Sequence, residues 1–245
     1  MKNKAVGFKL KKETSYKNFR QEYCKKGFTL AEVLITLGII GVVAAITIPG
    51  LIYNYKAHRL HSQFLKSYST LQQVFKQMEA DDVSLDPKTY PTGTFYKTFG
   101  QYLQAPTYCY RNDKNPACHT GTSAGKQYKT YDGKSTVQYN WFDDGQIALQ
   151  DGTLIMFENY TNINQLWISV DLNGFTNPPN RWGYDLFTFE FLDGELRTMG
   201  DKQTKYNDHN RYCNPNISNV LNGASCANKA KTETDYFKRI IKNFK

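Results

Sequence analysis

The stretch Lys25-Lys26-Gly27-Phe28-Thr29-Leu30-Ala31-Glu32 opens an apolar run that continues to Ile48. From Phe28 to Ile48 there are 21 residues, and Glu32 is the only charged one. As a helix rising about 1.5 Å per residue the run spans roughly 31 Å, close to the roughly 30 Å hydrocarbon core of a bilayer. Val33, Ile35, Ile39, Ile40, Val42, Val43, Ile46 and Ile48 are β-branched and form helices only moderately well in water. In lipid they must be helical, because every backbone polar group needs an internal partner. The run reads as a membrane-spanning helix. A secretory signal would be shorter and cut behind small residues, for which Val43-Ala44-Ala45 is a weak match. A plain anchor would leave Glu32 unexplained, since a charge within the bilayer costs a few kcal/mol even on lenient scales and points to function.

Lys-Gly-Phe-Thr-Leu-x-Glu followed by some twenty apolar residues resembles the N-terminal signal of type IV pilins and type II secretion pseudopilins. The resemblance covers about 25 of 245 residues. It implies that a prepilin peptidase cuts between Gly27 and Phe28 and methylates the new amine of Phe28. It also implies that Glu32 acts in assembly, and that Gly41 and Pro49 stand where the family has its helix-bending glycine and proline. The physics of Glu32 agrees. Cleavage creates a positive amine on Phe28, and a carboxylate four residues on lies about one turn away. Opposite charges tolerate burial together and can fix register.

Residues 1–27 hold nine Lys or Arg against Glu13 and Glu22, a net of +7 out of +9 for the chain. The basic balance therefore belongs to the leader and is no argument for a nucleic-acid surface. It places the N-terminus in the cytoplasm and the chain after Ile48 outside. Past the kinking pair Pro49-Gly50, Leu60, Phe64, Tyr68, Leu71, Phe75 and Met78 recur at helical spacing, with Lys56, Arg59, Gln63, Gln72 and Lys76 opposite. This predicts an amphipathic helix packing one stripe, ended near Asp81-Asp82. His58 and His61 lack a third ligand and the His-Glu-x-x-His pattern, so they read as solvated.

Residues 83–135 are loop-rich, with a short helix expected over Thr94–Leu103. Gly121 to Gln127 and Gly133-Lys134-Ser135 both miss the phosphate-loop spacing, and Ser123 with Lys126 lacks the companion motifs of an acyl-transfer site. From residue 136 the chain turns β-rich: Thr136–Phe142, Gln146–Gln150, Thr153–Asn159, Leu166–Asp171, Tyr184–Leu192 and Glu195–Met199, punctuated by Asp144-Gly145, Asp151-Gly152, Asn173-Gly174 and Asp193-Gly194. Such dipeptides between β-rich runs signal hairpins. The reading is an antiparallel sheet of four or five strands with one face covered by the helix over 51–80. Asp171, Asn173 and Asp185 gather oxygens in one loop. They are candidate calcium ligands, a possibility the family resemblance strengthens, but turn capping explains each of them.

Cys24 lies in the leader. Cys109, Cys118, Cys213 and Cys226 remain, an even number that allows three pairings. Local pairs, Cys109–Cys118 and Cys213–Cys226, are expected, each stabilising by roughly 2–4 kcal/mol. A zinc site using them with His119 or His209 has no tight C-x-x-C spacing behind it. The tail Glu233–Lys245 reads as an amphipathic helix, with Tyr236, Phe237, Ile240, Ile241 and Phe244 against Lys238, Arg239 and Lys242. It docks on the sheet or touches a membrane.

The expected architecture is α+β: leader 1–27, membrane and assembly helix 28–48, amphipathic continuation 49–82, and a disulfide-containing head 83–245. The expected function is structural. The precursor sits in the cytoplasmic membrane and polymerises into a secretion pseudopilus or type IV pilus outside. The resemblance implies prepilin peptidase, other pilin or pseudopilin subunits, an inner-membrane assembly platform and membrane lipid as partners. Eighteen Tyr and fifteen Phe could stack on single strands but are expected to fill the core, so nucleic acid enters only for a DNA-uptake pilus. No triad, catalytic carboxylate pair or nucleotide loop argues for an enzyme, and no cofactor is expected beyond candidate calcium. The rival is a single-pass membrane protein with an external binding head, which needs neither the Gly27–Phe28 junction nor Glu32.

Overall fold

The computed structural model describes residues 27–109, 115–119, 128–160 and 165–243. Cys24 and the rest of the leader to residue 26, the near-miss loop Gly121–Gln127 with Ser123 and Lys126, and Phe244 lie outside the described residues. The helices are α1 (Leu30–Ala80), α2 (Phe95–Gly100), α3 (His209–Tyr212), α4 (Cys226–Thr232) and α5 (Tyr236–Asn243). The strands are β1 (Thr107–Cys109), β2 (Gln146–Ala148), β3 (Leu154–Tyr160), β4 (Gln165–Asp171), β5 (Leu186–Leu192) and β6 (Glu195–Thr198). The chain divides into two compact units at Thr47/Ile48.

In the first unit, α1 exposes Leu34, Ile35, Leu37, Ile39, Ile40 and Val42. Among the described residues α1 is the one helix long and apolar enough to cross a membrane. The hydroxyls of Thr36 and Thr47 donate back to the carbonyls of Val33 (3.0 Å) and Val43 (2.9 Å), so neither would face lipid unsatisfied.

In the second unit, α1 buries Ala57, Leu60, Phe64, Ser67, Leu71, Val74, Phe75 and Met78. With Phe75 set aside as a flanking position, the spacing alternates three and four, a continuous stripe along one side. Pro49 lies inside the helix and withholds one N–H. At the other end Asp82 adopts φ 55°. Val83 N–H reaches the Met78 carbonyl and Asp82 N–H the Glu79 carbonyl, the paired bonds of a Schellman stop.

The six strands form one antiparallel sheet in sequence order, β1 to β6. The β5–β6 hairpin turns on Asp193 (φ 52°) and Gly194 (φ 78°), the doubly positive pair that matches strand twist. One sheet face carries Ile147, Ile155, Phe157, Leu166, Ile168, Val170, Phe187, Phe189 and Phe191, packed with α1, α2 and α5. The other carries Leu154, Met156, Trp167 and Leu186 beneath Tyr128, Trp141, Phe142, Phe175 and Trp182. Both faces are therefore covered, where one was expected. This is why β4 and β5 read as almost unbroken buried runs.

Four further expectations are corrected. Thr136–Phe142 is not a strand; Thr136 makes one bridge to Lys129, and Tyr139–Trp141 is a 3-10 turn that lays Trp141 over Trp167, ring centroids 4.6 Å apart. Asp144-Gly145 is not a hairpin turn. Asp144 N–H bonds the Phe157 carbonyl and Phe157 N–H the Gly145 carbonyl, so it prolongs the β2–β3 ladder. Asn173-Gly174 does not close a tight hairpin but opens a long connection to β5. The sheet has six strands because β1, only three residues long, adds to its edge.

The cysteines pair locally, Cys109 with Cys118 and Cys213 with Cys226, at separations of 9 and 13 residues. Disulfide-bonded sulfurs are not thiolate ligands, so the zinc alternative falls. His119 is buried among the rings of Tyr128, Tyr139 and Phe175, and His61 stacks on Phe237. α5 docks by Tyr236, Phe237, Ile240 and Ile241, all buried.

Candidate functional site

The start of α1 carries the densest local chemistry of the first unit. Thr29 precedes the first helical residue, and its backbone N–H and hydroxyl both donate to Glu32 Oε2, at 2.8 and 2.9 Å. Glu32 N–H donates in return to Thr29 Oγ1 at 3.2 Å. This is a reciprocal capping box, Thr at N-cap and Glu at N3, which satisfies two N–H groups that a helix start leaves orphaned. Helical bonding begins at once, with Val33 N–H on the Thr29 carbonyl. Gly27 and Phe28 therefore lie before the helix and are exposed, Phe28 at 88%. A peptide bond in irregular, exposed chain is open to a protease, whereas one inside α1 would have to be unwound first. The cap was legible as Thr-x-x-Glu, but the sequence reading spent Glu32 on charge alone.

A family model for the prokaryotic N-terminal methylation motif matches residues 23–48. The chain carries the type IV pilin and pseudopilin signal. The motif supports the reading of a pilin-like precursor, and a long apolar helix packed with an antiparallel sheet is a pilin-like α+β architecture. The signal implies processing by prepilin peptidase and assembly with other pilins. No curated protein and no solved structure matches the chain.

Gly41 and Pro49 both lie within α1. A Cβ added at Gly41 meets nothing within 4 Å, so no contact among the described residues requires glycine there.

The second predicted cluster comes together at the ends of β4 and β5. Asp171 Oδ1 accepts from the N–H groups of Asn173 (3.1 Å) and Gly174 (2.9 Å), and Oδ2 from the Tyr128 hydroxyl (2.7 Å). Asp185 Oδ1 accepts from Arg181 N–H (2.6 Å) and Oδ2 from Asn180 N–H (3.0 Å). All four carboxylate oxygens thus already face donors. Asn173 spends its amide on Asn177, which reciprocates. Among the described residues no group of three or more His, Cys, Asp or Glu is placed to hold a metal. The carboxylates are arranged to cap backbone N–H groups, while Asn173 Oδ1 and Asn180 Oδ1 are buried with no hydrogen-bond partner among the described residues.

Both carboxyls are fully buried. Burial raises Asp171 from its usual 3.8 to about 6 in spite of its hydrogen bonds. Burial, then the charge of Asp171, pushes Asp185 well above its usual range. Burial likewise raises Tyr128, so its hydroxyl remains a donor. Groups that hold protons more tightly folded than unfolded give stability that is full below about pH 4 and is lost as pH rises through about 6. For Asp171 alone the rise corresponds to on the order of 3 kcal/mol. The thermal midpoint of the detergent-solubilised protein is expected to fall between about pH 5 and pH 8, and Asp171→Asn to flatten that fall. Near-ultraviolet circular dichroism at both pH values measures it. An equally steep fall in the variant would remove Asp171 as its source.

Proposed function

We propose that the chain is the precursor of a structural subunit, cut after Gly27 and methylated on Phe28, that polymerises through residues 28–48 into a secretion pseudopilus or type IV pilus. The observation that carries the reading is the methylation motif at residues 23–48, supported by a junction that lies outside α1 and a carboxylate one turn behind it. In this reading residues 1–27 stay in the cytoplasm, the apolar helix holds the precursor in the cytoplasmic membrane, and residues 83–245 form the external head. The assembly platform of the inner membrane would lift the cleaved subunit into the filament.

The same reading makes the protein a non-enzyme without a cofactor. The Asp171–Asp185 loop, whose four carboxylate oxygens all face donors, serves as a proton-holding cap and not as a calcium site. Most of the described aromatic residues lie in or against two packed cores, which favours a structural role for them over a strand-stacking surface.

Mass spectrometry of the mature N-terminus, on membranes and on sheared filaments, tests the processing step. N-methylated Phe28 is the expected first residue. An intact Met1 would support the anchored binding protein instead, and a start near Ile46 would mean ordinary secretion.

A further inference from the structure

α5 lies beside the part of α1 that follows the apolar run. Phe237 stacks on His61, ring centroids 5.4 Å apart, and lies 5.9 Å from Phe64. The Tyr53 hydroxyl donates to the Lys238 carbonyl. Tyr53 is five residues beyond Ile48, about 7.5 Å of helical rise. With its apolar stripe buried, α5 turns Lys238, Arg239 and Lys242 outward, and the adjoining turns of α1 expose Lys56 and Arg59.

Cations outnumber acids around this surface: Lys56, Arg59, Lys238, Arg239 and Lys242 stand against Glu233, Asp235 and the buried Asp185, which lines the same depression as Lys56 and Arg59. No Asp or Glu occurs between Glu32 and Glu79. The acids that precede α5, Glu233 and Asp235, both pair with Arg239. Lys56, Arg59, Lys238 and Lys242 have no ion partner among the described residues. Beside them Leu51, Ile52 and Tyr55 are exposed, an apolar and aromatic fringe of the kind that settles at a membrane–water interface.

We propose that this surface, Lys56 and Arg59 of α1 with Lys238 and Lys242 of α5, binds the headgroups of anionic phospholipids on the outer side of the membrane. The proposal rests on the reading of residues 28–48 as the membrane span. Cations within a Debye length of an anionic bilayer are drawn to it, and salt weakens the attraction. A basic face backed by apolar anchorage is the arrangement that exploits both terms. Bound in this way, the head would be held down at the membrane before assembly and freed as the subunit is lifted away.

The full-length protein is placed in nanodiscs of phosphatidylcholine alone or with about 30% phosphatidylglycerol. Lysine acylation is then followed by mass spectrometry. Lys56, Lys238 and Lys242 are expected to react at least about threefold more slowly on the anionic discs and to recover at about 0.5 M salt. Lys88, exposed beyond the far end of α1, should react equally on both. A K238Q/K242Q variant, altered only at exposed positions, should lose the slowing at Lys56. Equal rates on the two discs would overturn the proposal, and so would slowing that follows the number of protein copies per disc, which would make the surface a contact between copies. Failure of the protein to co-elute with any disc would overturn the span itself.

Discussion

Glu32→Leu is expected to leave membrane insertion and cleavage after Gly27 intact while lowering filament-incorporated protein more than about tenfold, the largest functional effect anticipated in this chain. The substitution removes a charge whose burial costs about 2.5–3.5 kcal/mol on the insertion scale, so insertion should improve if it changes at all. On the proposed reading, what disappears is the partner for the Phe28 amine. In a packed helical assembly that amine would be left buried without compensation, and breaking a buried pair costs about 3–5 kcal/mol.

The capping box supplies a second explanation that must be separated from the first. Glu32 also holds the Thr29 N–H and hydroxyl, so leucine would fray the start of α1 by about 1 kcal/mol. Glutamine at N3 still completes a capping box but carries no charge. If charge compensation is the function, Glu32→Gln should fail in assembly as leucine does. If helix initiation is the function, glutamine should assemble nearly normally. Shearing followed by immunoblotting, with membrane and filament fractions scored together, reads both variants.

What the sequence disclosed and what it hid differ by the range of the interactions involved. The apolar run, the periodic stripe after it and Asp81-Asp82 are local signals, and α1 runs through the first two and stops at the third. Asp193-Gly194 is equally local, since two positive φ values in succession demand such residues. The stripe from Leu60 to Met78 reads correctly because a helix face is periodic. Thr136–Phe142 misled because its β-rich composition serves a tertiary purpose: Trp141 and Phe142 are delivered to the second face of the sheet by a 3-10 turn, not along a strand. Nothing local distinguishes an aromatic destined for a loop cover from one in a ladder. Asn173-Gly174 has hairpin chemistry, yet the buried Asp171 captures the N–H groups of both residues and turns the chain into a long connection. That Asp171 and Asp185 would share one buried environment, and so hold protons well above the usual range, was invisible without the β4–β5 register.

Phe64→Ala is expected to destabilise the head by about 3–5 kcal/mol, a large share of the 5–15 kcal/mol that a domain commands. Phe64 is fully buried and is the α1 side chain on which three elements converge. Its ring meets Phe187 edge-on at 4.9 Å, stacks with Phe189 at 5.9 Å and tilts against Phe237 at 5.9 Å, so α1, β5 and α5 are joined through one ring. Truncation removes the transfer energy of the ring and leaves a cavity that three aromatic neighbours, Phe187, Phe189 and Phe237, are too rigid to fill. The disulfides cannot compensate. Cys109–Cys118 and Cys213–Cys226 each close a local loop, and neither ties α1 to the sheet. Thermal unfolding of the solubilised precursor, followed by near-ultraviolet circular dichroism, should show the midpoint roughly 10 °C lower. Phe64→Leu, which keeps an apolar filler, should lose less than roughly half as much. A loss below about 1 kcal/mol for alanine would mean that α1 is not held to the sheet through this core, and that its contacts along Leu71, Phe75 and Met78 carry the junction without it.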